Sequence, residues 1–282
     1  MSQAALPVSS EAKVAGHYTR GKLEETILQA LARTGSDPER LRAADLATLD
    51  EFHLGGLEAT QELAAQMELQ PGLHLLDVGS GIGGPARYFA SEQRCKVTGI
   101  DLTEEFVQVA RSLTRRTKLD HLAEFVQTSA LNTGFPTETF DRAYMIHVGM
   151  NVPDKAGVFR EVRRLLKPGA LFVIYDILRS GEGEMAYPVP WALNSDVSFV
   201  EDIKLYRNAL ADAGFRLERD RGRKAFAIEF MERGMARAAQ GQAPVLGLNL
   251  LMGDLAPVML KNVFVMVKQG VLEPVELYAR AV

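Results

Sequence analysis

Apolar residues recur at four-residue spacing through KLEETILQALAR (22–33), where Leu23, Ile27 and Leu31 share a face and Gly35 follows as a stop. That spacing predicts an amphipathic helix. A second helical stretch is expected over 38–48. Gly55-Gly56 precede LEATQELAAQM, in which Leu57, Leu63, Ala64 and Met67 lie near one helical face, and Pro71-Gly72 end the segment in a turn. From residue 74 short apolar runs alternate with helical patterns. HLLDV leads to a helix over 85–90, KVTGID to one over 104–116, then come EFVQ, RAYMIHV with a helix over 153–166, and ALFVIYD. Such alternation predicts βαβ units and an α/β fold, with a mostly parallel sheet covered by helices on both faces. After Asp176 the pattern loosens into RSGEGEMAYPVPWALNSD, too long for an ordinary connection, so a lid is expected over about 177–199. A helix over 199–213 and a strand near 215–218 follow. Helical patterns over 224–239 and 255–269 form an insertion (224–269) before the last of seven strands, VELYARA. Residues 1–70 thus read as a helical cap within the same domain as 71–282.

Composition narrows the class of molecule. The 282 residues are 47% hydrophobic and 24% charged, which is globular and fits one elaborated domain. With 32 Lys+Arg against 36 Asp+Glu the net charge is -4, so nothing electrostatic favours a nucleic-acid partner. The single Cys95 precludes an internal disulfide, and none of the five histidines forms an i, i+4 pair, so no metal is expected. The amino terminus lacks the layout of a signal peptide, and 243–267 is interrupted by Asn249, Asp254, Lys261 and Asn262. A cytoplasmic protein with no membrane span is expected.

Chemistry concentrates in LLDVGSGIGGPARYFA (75–90), where a strand runs into glycines and then a helix. Gly79, Gly81 and Gly84 satisfy G-x-G-x-x-G, and Asp101 lies 22 residues beyond the first, at the end of the next strand. This fits a dinucleotide, with pyrophosphate on the helix N-terminus and the acid on ribose. It also fits S-adenosylmethionine. Asp77 discriminates, because a carboxylate there repels pyrophosphate but pairs with an α-ammonium; opposite charges about 4 Å apart gain roughly 4 kcal/mol at an effective dielectric near 20, before desolvation.

These residues resemble the class I S-adenosylmethionine-dependent methyltransferases, whose first motif is matched by Asp77, Gly79, Gly81 and Gly83, and whose ribose acid is matched by Asp101 with Leu102 beside it. FPTETFD (135–141), NVPDK (151–155) and REVRRLLKPGALFVIYD (160–176) match later landmarks. The resemblance implies a Rossmann-like seven-stranded sheet. It is nearest the small-molecule group that methylates amines such as sarcosine, sugars, tocopherol and quinones. HYTRG and DEFHLGG look like that group's cap, so Tyr18 is implied to close over the methionine carboxylate. Many relatives carry an acid for the adenine amino group where this chain has Ser129, leaving Ser129 with the backbone of Ala130 and Leu131 to recognise adenine.

His147 ends the fourth predicted strand, on the side of an open α/β sheet where ligands bind, and at an unperturbed pKa of about 6.5 it is the candidate base. His53 in the cap and Trp191 in the lid are the candidate acceptor contacts. The expected activity is in-line methyl transfer to nitrogen, oxygen or carbon of a small molecule in biosynthesis. A nicotinamide-dependent oxidoreductase and a non-catalytic S-adenosylmethionine-binding protein are the alternatives. The acceptor and the oligomeric state do not follow from the sequence.

Overall fold

The computed structural model describes residues 9–242 and 244–282. Seven strands, β1 (His74–Val78), β2 (Lys96–Asp101), β3 (Ala123–Gln127), β4 (Phe140–Ile146), β5 (Leu166–Arg179), β6 (Phe215–Gly222) and β7 (Leu272–Ala281), form one sheet in the order β3-β2-β1-β4-β5-β7-β6. β7 is antiparallel to both neighbours, and the other pairs are parallel. The chain steps outward from β1 to β3 and then returns to lay β4 on the other side of β1. That reversal opens a crevice at the carboxyl ends of β1 and β4, where ligands settle in open α/β sheets.

Strand alternation sends neighbouring side chains to opposite faces. Leu76, Val78, Ala143 and Met145 pack under α7 (Lys155–Leu165) and α8 (Ile203–Asp212). On the other face Leu75, Val97, Tyr144 and Val173 meet α4 (Gly56–Gln66), α5 (Gly84–Glu92) and one side of α6 (Glu104–Arg116). The opposite side of α6 receives the cap. Leu23, Ile27 and Leu31 of α2 (Leu23–Arg33) and Leu46 and Leu49 of α3 (Ala43–Asp50) pack on Phe106, Val109 and Leu113. A roof of α1 (Ser10–Tyr18), the 180–200 loop, α9 (Lys224–Ala239) and α11 (Ala256–Gln269) shares a third core that includes Val14, Trp191, Met231 and Val263, and from this side α1 and Leu251 of α10 (Asn249–Met252) line the crevice.

Three boundaries depart from the sequence expectation for local reasons. The helix expected over 38–48 starts only at Ala43, because Asp37 Oδ1 accepts the Glu39 N–H at 3.0 Å and holds that segment as a turn. β4 ends at Ile146, since His147 adopts φ 53°, a left-handed conformation that leaves the ladder. Finally, Asn249–Gln269 is long and apolar enough to cross a membrane by length and composition, contrary to the expectation that no segment is. It folds as α10, a 3₁₀ turn and α11, with Leu251, Met259, Val263, Met266 and Val267 buried.

Candidate active site

The glycine turn is built around β2. Gly79 and Ser80 both donate backbone N–H groups to the Ile100 carbonyl, at 2.8 and 2.9 Å. A Cβ at Gly79 would meet Val148 at 2.4 Å, so this corner admits only glycine. Gly81 (φ 53°) faces open space, and its N–H donates to Asp101 Oδ2 at 2.9 Å. Asp101 Oδ1 accepts the Thr103 N–H at 2.8 Å, which fixes the carboxylate between the turn and α6. Burial pushes its pKa up, against those hydrogen bonds. Gly83 is outside the lining of the crevice; its α-carbon abuts Phe125, where a Cβ would come within 2.6 Å, so its place is in packing.

Asp77 lies at the carboxyl end of β1, 3% exposed, opposite Tyr144 in the ladder. Its Oδ2 is buried without a hydrogen-bond partner, as is the Tyr144 hydroxyl. Burial raises the Asp77 pKa to about 8. The Tyr144 hydroxyl is the near neighbour of this carboxylate and opposes part of that rise, and Asp77 also lines the crevice, where a cationic donor would complete its hydrogen bonding.

Ala130 and Leu131, after β3, line the same crevice with Leu102, whereas Ser129 stands behind them. Ser129 Oγ donates to Glu11 Oε1 at 2.5 Å and accepts the Leu131 N–H at 3.1 Å. Glu11 belongs to α1, which crosses the crevice as a strap. Tyr18 donates from its hydroxyl to Asn151 Oδ1 at 2.7 Å, and the His17 ring contacts the Pro190 carbonyl at 3.1 Å. Arg20, Gly21 and Leu23 bring their N–H groups to Glu105. Tyr18 faces the crevice, and burial and Asp101 push its pKa up. Glu11, Asp50 and Asn151 also line the site and were not singled out from sequence. Asn151 sat inside the NVPDK landmark, but Glu11 had no local signal, because its partner is 118 residues away.

His147 and His53 meet at the floor, ring centroids 5.9 Å apart, with Tyr175 4.9 Å from His147. His147 Nε2 is shielded and has no hydrogen-bond partner, and burial with the neighbouring His53 holds the pKa well below 6.5. This departs from the expectation of an ordinary imidazole, because burial disfavours the charged ring. His53 is spoken for, with Nε2 3.0 Å from the Gly56 carbonyl and 3.2 Å from Thr60 Oγ1, and burial lowers its pKa to about 4. Beneath it Glu51 accepts from Thr60 at 2.7 Å, its pKa raised to about 8 by burial and Asp50. Trp191 does not wall the crevice. It is 1% exposed in the roof core, with Nε1 donating to Ser198 Oγ at 3.0 Å and its carbonyl accepting from Asn151 Nδ2 at 2.8 Å, so it anchors the 180–200 loop.

Among the described residues the carboxyl groups of the crevice face no cationic side chain across it: Glu11, Asp50, Asp77 and Asp101 line it, and no Lys or Arg does. Arg87 approaches from behind, but its guanidinium is committed to Asp50 Oδ2 at 2.7 Å and the Ile82 carbonyl at 2.8 Å. No group of three or more His, Cys, Asp or Glu is placed to hold a metal ion among the described residues.

Comparison with known proteins agrees with this geometry. Residues 76–174 match the family described as a methyltransferase domain. A sterol 24-C-methyltransferase of Eremothecium gossypii is 30% identical over 182 residues, covering 62% of this chain and 49% of that protein. A cycloartenol-C-24-methyltransferase of Arabidopsis thaliana is 38% identical over 114 residues, covering 40% and 34%. The chain thus aligns with half or less of the length of these curated relatives. Among solved structures, the geranyl diphosphate C-methyltransferase of Streptomyces coelicolor A3(2) superposes with a TM-score of 0.71 over 99% of this chain and 100% of that one, at 17% identity. The [4+2]-cyclase SpnF superposes with a TM-score of 0.68 over 99% of each chain, at 22% identity. Residues 76–174, which hold the glycine turn and strands β2 to β4, thus match a methyltransferase domain, and around it the chain is similar to S-adenosylmethionine-dependent methyltransferases in sequence and in fold.

Proposed function

We propose that the protein methylates a carbon atom of an uncharged, largely apolar small molecule, with S-adenosylmethionine as methyl donor. The observation that carries this reading is a crevice lined by four acids and no base of the Lys or Arg type. Such a site favours a sulfonium ligand and repels phosphorylated or carboxylated acceptors. Asp77, with its unpartnered Oδ2, would hold the α-ammonium, and Asp101 would accept from the ribose hydroxyls. Gly81 leaves the space through which backbone approaches the ligand. When bound, the sulfonium supplies the methyl group, and positioning accounts for much of the rate.

His147 favours carbon over oxygen. A hydroxyl acceptor needs a base strong enough to take its proton during attack, and an imidazole held well below its usual pKa serves poorly. A double bond attacking the methyl becomes a carbocation, whose adjacent C–H is so acidic that a weak neutral base suffices. Similarity to sterol C-24 methyltransferases supports the same acceptor atom. A nicotinamide cofactor is disfavoured by Asp77, which would face its pyrophosphate.

Because a cyclase shares this fold, the activity assay must read methyl transfer itself. The protein is incubated with methyl-labelled S-adenosylmethionine and matched acceptors: neutral olefinic alcohols, their diphosphates, phenols and amines. Label in a new C–CH₃ bond on a neutral olefin is the expected result. Label only on oxygen, nitrogen or a diphosphate-bearing acceptor overturns the reading, as does acceptor cyclisation without label.

A further inference from the structure

We propose that Glu11, carried on the strap helix α1, accepts the exocyclic amino group of the cofactor's adenine, so that the cap itself completes the cofactor site. This rests on the cofactor reading above. Along the carboxyl edge of the sheet, Asp77 after β1 is followed by Asp101 after β2 and then by the 128–131 loop after β3. A ligand with its ammonium at Asp77 and its ribose at Asp101 directs its base to that loop. There Leu102, Ala130 and Leu131 offer apolar walls for a flat ring, and Glu11 lines the same end.

The pairing edge of adenine presents an amino donor beside a ring-nitrogen acceptor, so its site needs an acceptor beside a donor. Ser129 is the weaker acceptor there, because it is a neutral hydroxyl whose oxygen already takes the Leu131 N–H while its proton goes to Glu11 Oε1. Glu11 Oε2 has no hydrogen-bond partner among the described residues, and neither has the Ala130 N–H. Among the described residues Glu11 forms no ion pair with a Lys or Arg, and its one hydrogen bond is the one from Ser129. The carboxylate that the 129 position lacks is thus supplied from the other end of the chain. Ser129 serves as the peg on which that carboxylate hangs.

The test is calorimetry with S-adenosylhomocysteine and S-inosylhomocysteine, in which a carbonyl oxygen replaces the amino group. A hydrogen bond to a charged group supports a preference of about tenfold or more for the adenosyl ligand in the wild-type protein. In Glu11→Ala the adenosyl affinity should fall about tenfold while the inosyl affinity stays within about twofold, which closes the preference. Glu11→Gln keeps the shape of the strap and can donate to the inosyl oxygen, so it should narrow the same ratio even where the alanine variant folds poorly. Equal losses for both ligands, or an unchanged ratio in both variants, overturn the inference and leave Glu11 as a docking contact of α1. Failure of the wild-type protein to bind either S-adenosylmethionine or S-adenosylhomocysteine overturns the cofactor reading, and this inference with it.

Discussion

Asp77 shows how one residue trades stability for binding. Its folded pKa of about 8 exceeds the value of about 3.9 for an exposed aspartate, so between those pH values the folded state keeps a proton that the unfolded chain has released. The associated stability is full below about pH 4 and is lost as pH rises through about 8. Asp77→Asn removes this loss: melting curves from pH 5 to 9 should show a shallower decline than wild type and a melting temperature higher by at least about 2 °C at pH 8. Glu51, also raised to about 8, leaves some slope in place. The same variant should weaken S-adenosylmethionine about tenfold or more in calorimetry, because the charge that pairs with the ammonium is gone. For His147 the informative change is Asn, which tolerates the φ of 53° that the backbone holds there. His147→Asn should lower single-turnover methyl transfer roughly 10²-fold or more with cofactor affinity unchanged. In the wild-type protein kcat should show no titration of this histidine above pH 6.5, since its pKa lies well below that. Asp77, Gly79, Gly81 and Asp101 were legible in the sequence because one turn and two adjacent strands bring them together. The depressed basicity of His147 was not, since it depends first on burial and then on His53, which packs down from another segment.

At the level of elements, the cap is fastened to the sheet by a buried ion pair rather than by hydrophobic contact alone. Arg87 of α5 is 0% exposed and reaches Asp50 at the end of α3, and it also donates to Thr114 Oγ1 of α6 at 3.1 Å. Removing one partner of such a pair strands the other, at a cost of about 3–5 kcal/mol. Arg87→Met should therefore lower the denaturation midpoint by that equivalent, whereas Arg87→Met with Asp50→Leu should recover most of the loss; additive losses in chemical denaturation would refute the coupling. Element order and type were readable because the stripes at Leu23/Ile27/Leu31 and the alternating strands are strong local signals. α1 was not, as Val14 is its one buried residue and the helix owes its position to contacts distant in sequence. Trp191 misled for a related reason. A large aromatic in a Pro-rich loop reads equally well as a pocket wall or a loop anchor, and only the fold of that loop onto α1 and Asn151 decides.

For the molecule as a whole, the crevice is shared between the sheet and a cap that lines it through α1 and through Asp50, Phe52 and His53. Saturating ligand at about 100 times its dissociation constant adds about 2.7 kcal/mol of stability. Thermal unfolding with S-adenosylhomocysteine should then shift upward by about 5 °C, and hydrogen exchange should slow in residues 10–18 as well as in the glycine turn. Slowing confined to 77–84 would mean that the strap does not respond to the ligand. The placement of β7 between β5 and β6 has a separate consequence. Gly222 faces Val275 in the ladder, and the Arg223 N–H donates to the Pro274 carbonyl at 2.8 Å, so the roof segment that runs from α9 through α11 leaves and rejoins the sheet at nearly one point. Glu276, held by Arg221, Arg223 and Tyr278, clamps that junction from inside the strand pair. A segment rooted in this way can lengthen, shorten or be exchanged between lineages without disturbing strand register. The segment is thus an arch grafted onto what would otherwise be a plain β-hairpin, and among the described residues Leu251 is the point at which that arch touches the crevice.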